Sequence, residues 1–147
     1  MKHQILILSS IISLSASIAS AQTATQVDAY ISRYKDIAMA EQQRSGVPAA
    51  ITLAQGIHES GCGASELSTN AHNHFGIKCK SSWTGSTYSY TDDAKDECFR
   101  KYESDITSYQ DHSDFLKSNV RYAALFALDI NDYKGWATGL KKAGYAT

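Results

Sequence analysis

The chain contains a single proline, Pro48, and two closely spaced glycines, Gly61 and Gly63. Proline presets the φ of a first helical turn, and glycine supplies the left-handed stop at a helix end. The segment between them is therefore boxed into a helix, with Pro48 expected as its first residue and Ser60 near its last. Ala50, Ile51, Ala54 and Ile57 recur at helical spacing and are expected to face inward. Gln55 and Glu59, one turn apart, share a neighbouring face and can line one wall of a groove. Glu59 stands at the wrong end of this helix for an anion, because unpaired carbonyls and the negative pole of the dipole gather there. A glutamate held protonated near neutral pH is what a general acid requires.

The pattern on either side is mainly helical. Thr25 to Arg44 reads as a first helix, with Val27, Tyr30, Ile31, Tyr34, Ile37 and Ala38 on one face. Thr25 and Asp28 resemble a capping box at its start, and Ser45 with Gly46 closes it. Ser65 to Thr69 reads as a short helical turn, and 70–78 as an aromatic-bearing loop. From Cys79 to Tyr102 the period changes to alternation, with Tyr88 and Tyr90 before a turn at 91–96 and Cys98, Arg100 and Tyr102 after it. This predicts a small hairpin or three-stranded flap. Helices return over 108–118, at a short element from Arg121, and over 132–142, where Trp136 and Tyr133 look most core-like. The expected class is α+β, mainly α, with a helical lobe and a small antiparallel β-hairpin lobe flanking a groove.

Lys2 and His3 precede an apolar and small-residue run from Ile5 to Ile18, and Ala19 to Ala21 supply a small-residue cleavage pattern. Residues 1–21 are read as a signal peptide and 22–147 as one domain. The alternative is an uncleaved anchor, although five serines make the run polar for a membrane span. The protein is expected to be exported, to the periplasm or the cell exterior, with no membrane association after cleavage, and to be a monomer. With 14 Lys and Arg against 15 Asp and Glu, the formal charge is −1. That balance gives no argument for a nucleic-acid partner.

Export permits disulfides. Of Cys62, Cys79 and Cys98, the last two bracket the flap and are the expected pair, leaving Cys62 as a free thiol. No C-x-x-C or H-x-x-x-H spacing supports a metal, and no glycine-rich phosphate loop supports a nucleotide, so neither metal nor cofactor is expected. A nucleophilic Cys-His arrangement has no specifying pattern. The stronger reading pairs Glu59 with a second carboxylate, Asp92 or Asp93 in the flap, as glycoside cleavage uses. Aspartate also favours turns for its own reasons. The many aromatics, Tyr90 and Tyr122 among them, suit stacking on sugar rings.

Four blocks carry a family resemblance: 45–48 running into 53–61, Asn73 to Lys78, Phe99 to Tyr102, and Ala143 to Thr147. In this order they resemble the glucosaminidase domain of glycoside hydrolase family 73 over nearly the whole chain after residue 21. The resemblance implies a lysozyme-like fold and hydrolysis of the β-1,4 bond between N-acetylglucosamine and N-acetylmuramic acid in peptidoglycan strands. It implies Glu59 as general acid, Asp92 as the second carboxylate and Tyr145 as a catalytic-site tyrosine. Asn73 and Phe75 would shape the groove floor. His58 and Cys62 depart from the family pattern beside the acid. Family members usually continue into a further helix, so the resemblance reads the end at Thr147 as clipped or as a version without that helix. The alternatives are another wall hydrolase (muramidase, lytic transglycosylase or amidase) and a non-catalytic peptidoglycan-binding module.

Overall fold

A computed structural model describes residues 22–145. The expected signal segment, 1–21, and the last two residues lie outside that range. The elements, in chain order, are α1 (Ala24–Ser45), α2 (Ala49–Ser60), α3 (Glu66–Ala71), β1 (Thr87–Tyr90), β2 (Glu97–Arg100), α4 (Asp105–Ser118), a 3-10 helix (Val120–Ala127) and α5 (Tyr133–Lys142). The architecture is the expected one, mainly helical with a two-stranded flap. Among the described residues no helix is long and apolar enough to cross a membrane.

The cap of α1 differs from expectation. Thr23 accepts from the Gln26 amide at 3.2 Å, and the Gln26 side chain accepts from the Thr23 amide at 2.9 Å. Glutamine is long enough to reach back to the cap, so the reciprocal pair forms two residues earlier than Thr25 and Asp28. Gly46 ends α1 at φ 83°. Pro48 is the residue before α2 rather than its first. Within α2, Ile51 is buried and Ile57 half-buried, but Ala50 and Ala54 are exposed. The buried stripe of α2 passes instead through Thr52, Gly56 and Ser60.

Two clusters form the core. One joins Val47 and Ile51 to Leu116, Tyr122, Leu125, Trp136 and Leu140. The other joins Tyr30, Tyr34 and Ala38 to Phe75, Ile77 and Tyr109. Trp136 is buried as expected, whereas Tyr133 is 55% exposed. Tyr133 is the first helical residue of α5, beyond the reach of the stripe through Trp136 and Leu140.

The tyrosine-rich cluster is held by polar bonds as well as contact. The Asp105 carboxylate accepts from His74 Nε2 at 3.1 Å, which leaves His74 Nδ1 as an acceptor. Nδ1 lies 3.0 Å from the Tyr30 hydroxyl, and that hydroxyl lies 2.7 Å from the Tyr109 hydroxyl. Protons can then be placed in one direction, Tyr109 to Tyr30 to His74 to Asp105, so each of these four side chains has a partner. This relay ties α1, α4 and the loop after α3 together.

The flap pairs antiparallel, with Tyr88 opposite Phe99 and Tyr90 opposite Glu97. Cys79 and Cys98 form a disulfide, as expected, and Cys62 is free. Arg100 docks the flap on α4 through Asp111, at 2.8 and 3.1 Å, and Tyr102 donates to the same carboxylate at 2.6 Å.

Candidate active site

Three successive residues after α2, Gly61, Cys62 and Gly63, have φ of 57°, 58° and 80°. The chain therefore reverses abruptly behind Glu59. The Ser60 hydroxyl fixes the exit by donating to the Gly56 carbonyl and accepting from the Gly63 amide at 2.7 Å. Glu59 is left on the rim of a groove of about 470 Å³ between the helical lobe and the flap. His58, Phe75, Tyr122 and Tyr145 share the helical side, and Asp92 and Asp93 come from the turn between β1 and β2. A second, apolar pocket of about 270 Å³ adjoins it along α2 and α5 and shares His58, Glu59 and Tyr145.

The Glu59 carboxyl is pushed above the ordinary glutamate range. Burial is the main cause; the Asp92 charge adds to it and His58 opposes it. Much of the Glu59 surface is open to the groove, while the groove walls displace the bulk water beyond. An exposed yet desolvated carboxyl is accessible to a ligand and still biased toward its protonated form. Tyr145, half-buried beside it, has its phenol pushed up by burial and by the Glu59 charge, and remains a neutral hydroxyl. Tyr145 is set by an edge contact to Phe115 and a tilted contact to Tyr122, at 6.5 and 6.0 Å between centroids.

The two flap aspartates differ. Asp93 is drawn to Lys78 at 3.5 Å, whereas it is Asp92 whose charge reaches Glu59. Chemically, the arrangement places a carboxyl biased toward its protonated form and a second acidic side chain on opposite walls of one groove. The carboxylates of Asp92, Asp93 and Glu97 also approach one another within 4.8 Å, a donor set suited to a hard cation. Lys78 already supplies positive charge there, 2.9 Å from Glu97.

The expected ligand-contacting residues divide. Phe75 and Tyr122 line the groove. Gln55 lines the apolar side pocket instead. Asn73 is not brought to the groove. It is 1% exposed, and its amide serves the backbone of Ile77 and the Arg100 carbonyl, clamping the loop to the flap. Tyr90 is also away from the groove lining and packs its edge against Phe99. Both corrections have one cause: docking the flap requires main-chain partners and apolar cover, and these two residues supply them.

Sequence reasoning missed His112. It is fully buried, its Nε2 donates to Gln55 Oε1 at 2.9 Å, and its ring stacks on Phe75 at 3.9 Å. Burial lowers its pKa to about 3, so it is a neutral imidazole beneath the groove floor. The signal available was its spacing with Tyr109 and Leu116 on the buried face of α4. Arg121 and Lys80 also reach the groove unforeseen.

Comparison with known proteins follows the same geometry. Residues 35–147 match the glucosaminidase family, described as mannosyl-glycoprotein endo-beta-N-acetylglucosaminidase. Peptidoglycan hydrolase FlgJ of Pseudomonas aeruginosa is 32% identical over 132 residues, covering 82% of this chain and 33% of the relative. The chain thus spans about a third of the length of that curated relative. The glycoside hydrolase domain of Salmonella typhimurium FlgJ superposes with a TM-score of 0.69 at 32% identity, over 82% of this chain and 77% of that one. A peptidoglycan hydrolase from Sphingomonas sp. A1 gives 0.69 and 32%, over 81% and 78%.

Proposed function

The chain belongs to the glucosaminidase family, and on that premise we propose that it is an exported peptidoglycan hydrolase, an endo-β-N-acetylglucosaminidase. It cleaves the β-1,4 bond between N-acetylglucosamine and N-acetylmuramic acid, and residues 22–147 form the domain that does so. The observation that carries this reading is Glu59. It is a desolvated carboxyl at a helix end, near the Asp92 charge on a groove of about 470 Å³ between the helical lobe and the flap.

Glu59 gives its proton to the glycosidic oxygen as the bond breaks, which avoids expulsion of an alkoxide. The departing charge leaves an oxocarbenium-like sugar. Asp92 stabilises that charge or takes the proton of the attacking water. If water attacks the anomeric carbon directly with inversion, the two carboxyls stand roughly 6.5–9.5 Å apart in the working complex. The Tyr145 hydroxyl, neutral beside Glu59, is placed to hold the sugar's acetamido group or to stabilise the developing positive charge. Phe75 and Tyr122, both nearly buried, underlie the groove as apolar support.

The test is digestion of purified peptidoglycan and identification of the new ends. Reducing-end N-acetylglucosamine supports the reading. Anhydro-muramic ends would make the protein a lytic transglycosylase, and binding without soluble fragments would make it a wall-binding module. Undiminished release by Glu59→Gln would remove Glu59 from the acid's role.

A further inference from the structure

The groove lining holds three cationic side chains beside its three acidic ones, Glu59, Asp92 and Asp93. N-acetylated hexosamines have no formal charge, and neutral donors suffice for their hydroxyls and acetamides. Lys78, Lys80 and Arg121 nevertheless all line the groove. Lys78 is committed to Glu97 and Asp93. Among the described residues, neither Lys80 nor Arg121 has a carboxylate within 4.0 Å.

Among the described residues Arg121 has no carboxylate partner. Its backbone amide is taken by the Asn119 side chain at 3.3 Å, which fixes the start of the 3-10 helix. Its guanidinium lies over the Tyr122 ring, 5.6 Å from the centroid. A Cβ added to Gly144 would meet only Arg121 Nη1, at 4.0 Å, so the guanidinium also borders the chain leading into Tyr145. A planar fork of donors, set over an aromatic ring and lining the groove, matches a carboxylate bidentately.

We propose that Arg121, with Lys80 from the flap lobe, forms a carboxylate subsite that reads the acidic substituent of the muramyl sugar. This deepens the reading of peptidoglycan as substrate and rests on it. The glycan itself is neutral; its anionic groups hang from the muramyl lactyl ether, either as carboxylates of an attached peptide or as the free lactyl carboxylate once the peptide is gone. Arg121 thus confers a preference for muramyl-bearing strands over uncharged polymers of N-acetylglucosamine.

The experiment measures binding to Glu59→Gln protein, which removes turnover from the comparison. Three soluble ligands of equal sugar length are used: a glycan carrying its peptides, the same glycan after amidase removal of the peptides, and a neutral chito-oligosaccharide. The expected result is that adding Arg121→Met lowers the preference for charged over neutral ligand by about tenfold, with Arg121→Lys and Lys80→Met giving smaller falls. A loss confined to the peptide-bearing ligand identifies peptide carboxylates as the recognised group; a loss confined to the peptide-free ligand identifies the lactyl carboxylate. Equal losses for all three ligands, or no change in preference, would overturn the subsite. Failure of the Glu59→Gln parent to bind any of the three would instead overturn the substrate reading and the subsite with it.

Discussion

Gly56 lies inside α2, one turn before the Ser60 exit, where intrinsic propensity favours alanine by about 1 kcal/mol. The structure reverses that sign. A Cβ at position 56 would overlap the Tyr30 hydroxyl, stand 3.2 Å from the ring carbon that carries it, and lie 3.3 Å from the Tyr109 hydroxyl. Tyr30 cannot yield freely, because the same hydroxyl is bound to His74 at 3.0 Å and Tyr109 at 2.7 Å. Overpacking costs about 1–3 kcal/mol, and the two disrupted bonds about 1 kcal/mol each. Against the propensity gain, Gly56→Ala should destabilise by about 3 kcal/mol, a fall in melting temperature of roughly 10 °C for a domain of this size. The assay is urea unfolding of the wild type, Gly56→Ala, Tyr30→Phe and the double variant. Removing the hydroxyl relieves the overlap, so the double variant should be more stable than the sum of the single losses by about 1–2 kcal/mol. A neutral or stabilising Gly56→Ala, or strict additivity, would refute the packing argument.

On the proposed role of Glu59 as the acid, kcat/KM should fall as pH rises through its raised pKa; Asp92→Asn removes one cause of the elevation and should move that limb to lower pH, while Asp93→Asn should leave it in place. An unmoved limb in Asp92→Asn would separate Asp92 from the acid's environment. The Cys79–Cys98 bond closes a 19-residue separation, so its loss should cost about 3 kcal/mol. Hydrogen exchange after reduction should accelerate at β1 and β2 before the helical lobe, and uniform acceleration would contradict a local staple. Burial raises the phenol of Tyr30 to about 12 and that of Tyr109 further, against about 10 in an unfolded chain. Their contribution is complete below pH 10 and is lost as pH rises toward and beyond 12, each adding a slope of about −1.4 kcal/mol per pH unit. Tyrosinate absorbance for these residues should therefore appear together with loss of ellipticity; ionisation near pH 10 in a folded protein would exclude the buried relay.

The parts legible in the sequence were those set by local rules. Pro48 and Gly61 bounded α2, Gly46 ended α1, and the change from helical spacing to alternation marked the flap. Glu59 was legible because a charge at that helix end conflicts with local electrostatics. What escaped depended on partners distant in the chain. Asn73 sits among aromatics and reads as a surface ligand, but its amide closes backbone groups at Ile77 and Arg100. His112 reads as a polar helix residue, and only the packing of α4 against Gln55 and Phe75 makes it a buried neutral imidazole. Tyr133 has the right spacing for the core, but spacing does not say where a helix outruns its neighbour.

The run Gly61, Cys62 and Gly63 gives the acid's neighbourhood a second layer of meaning. Three consecutive residues there occupy the half of conformational space that L-amino acids avoid. Handedness constrains these positions whatever their chemistry: a side chain at 61 or 63 would be strained however inert, and the thiol at 62 is carried in spite of its Cβ. The block around Glu59 that makes this chain recognisable is therefore partly a record of backbone chirality. A search that reads its glycines as a catalytic signature would be reading the geometry of a turn, and the same pattern on a scaffold without the groove would carry no activity.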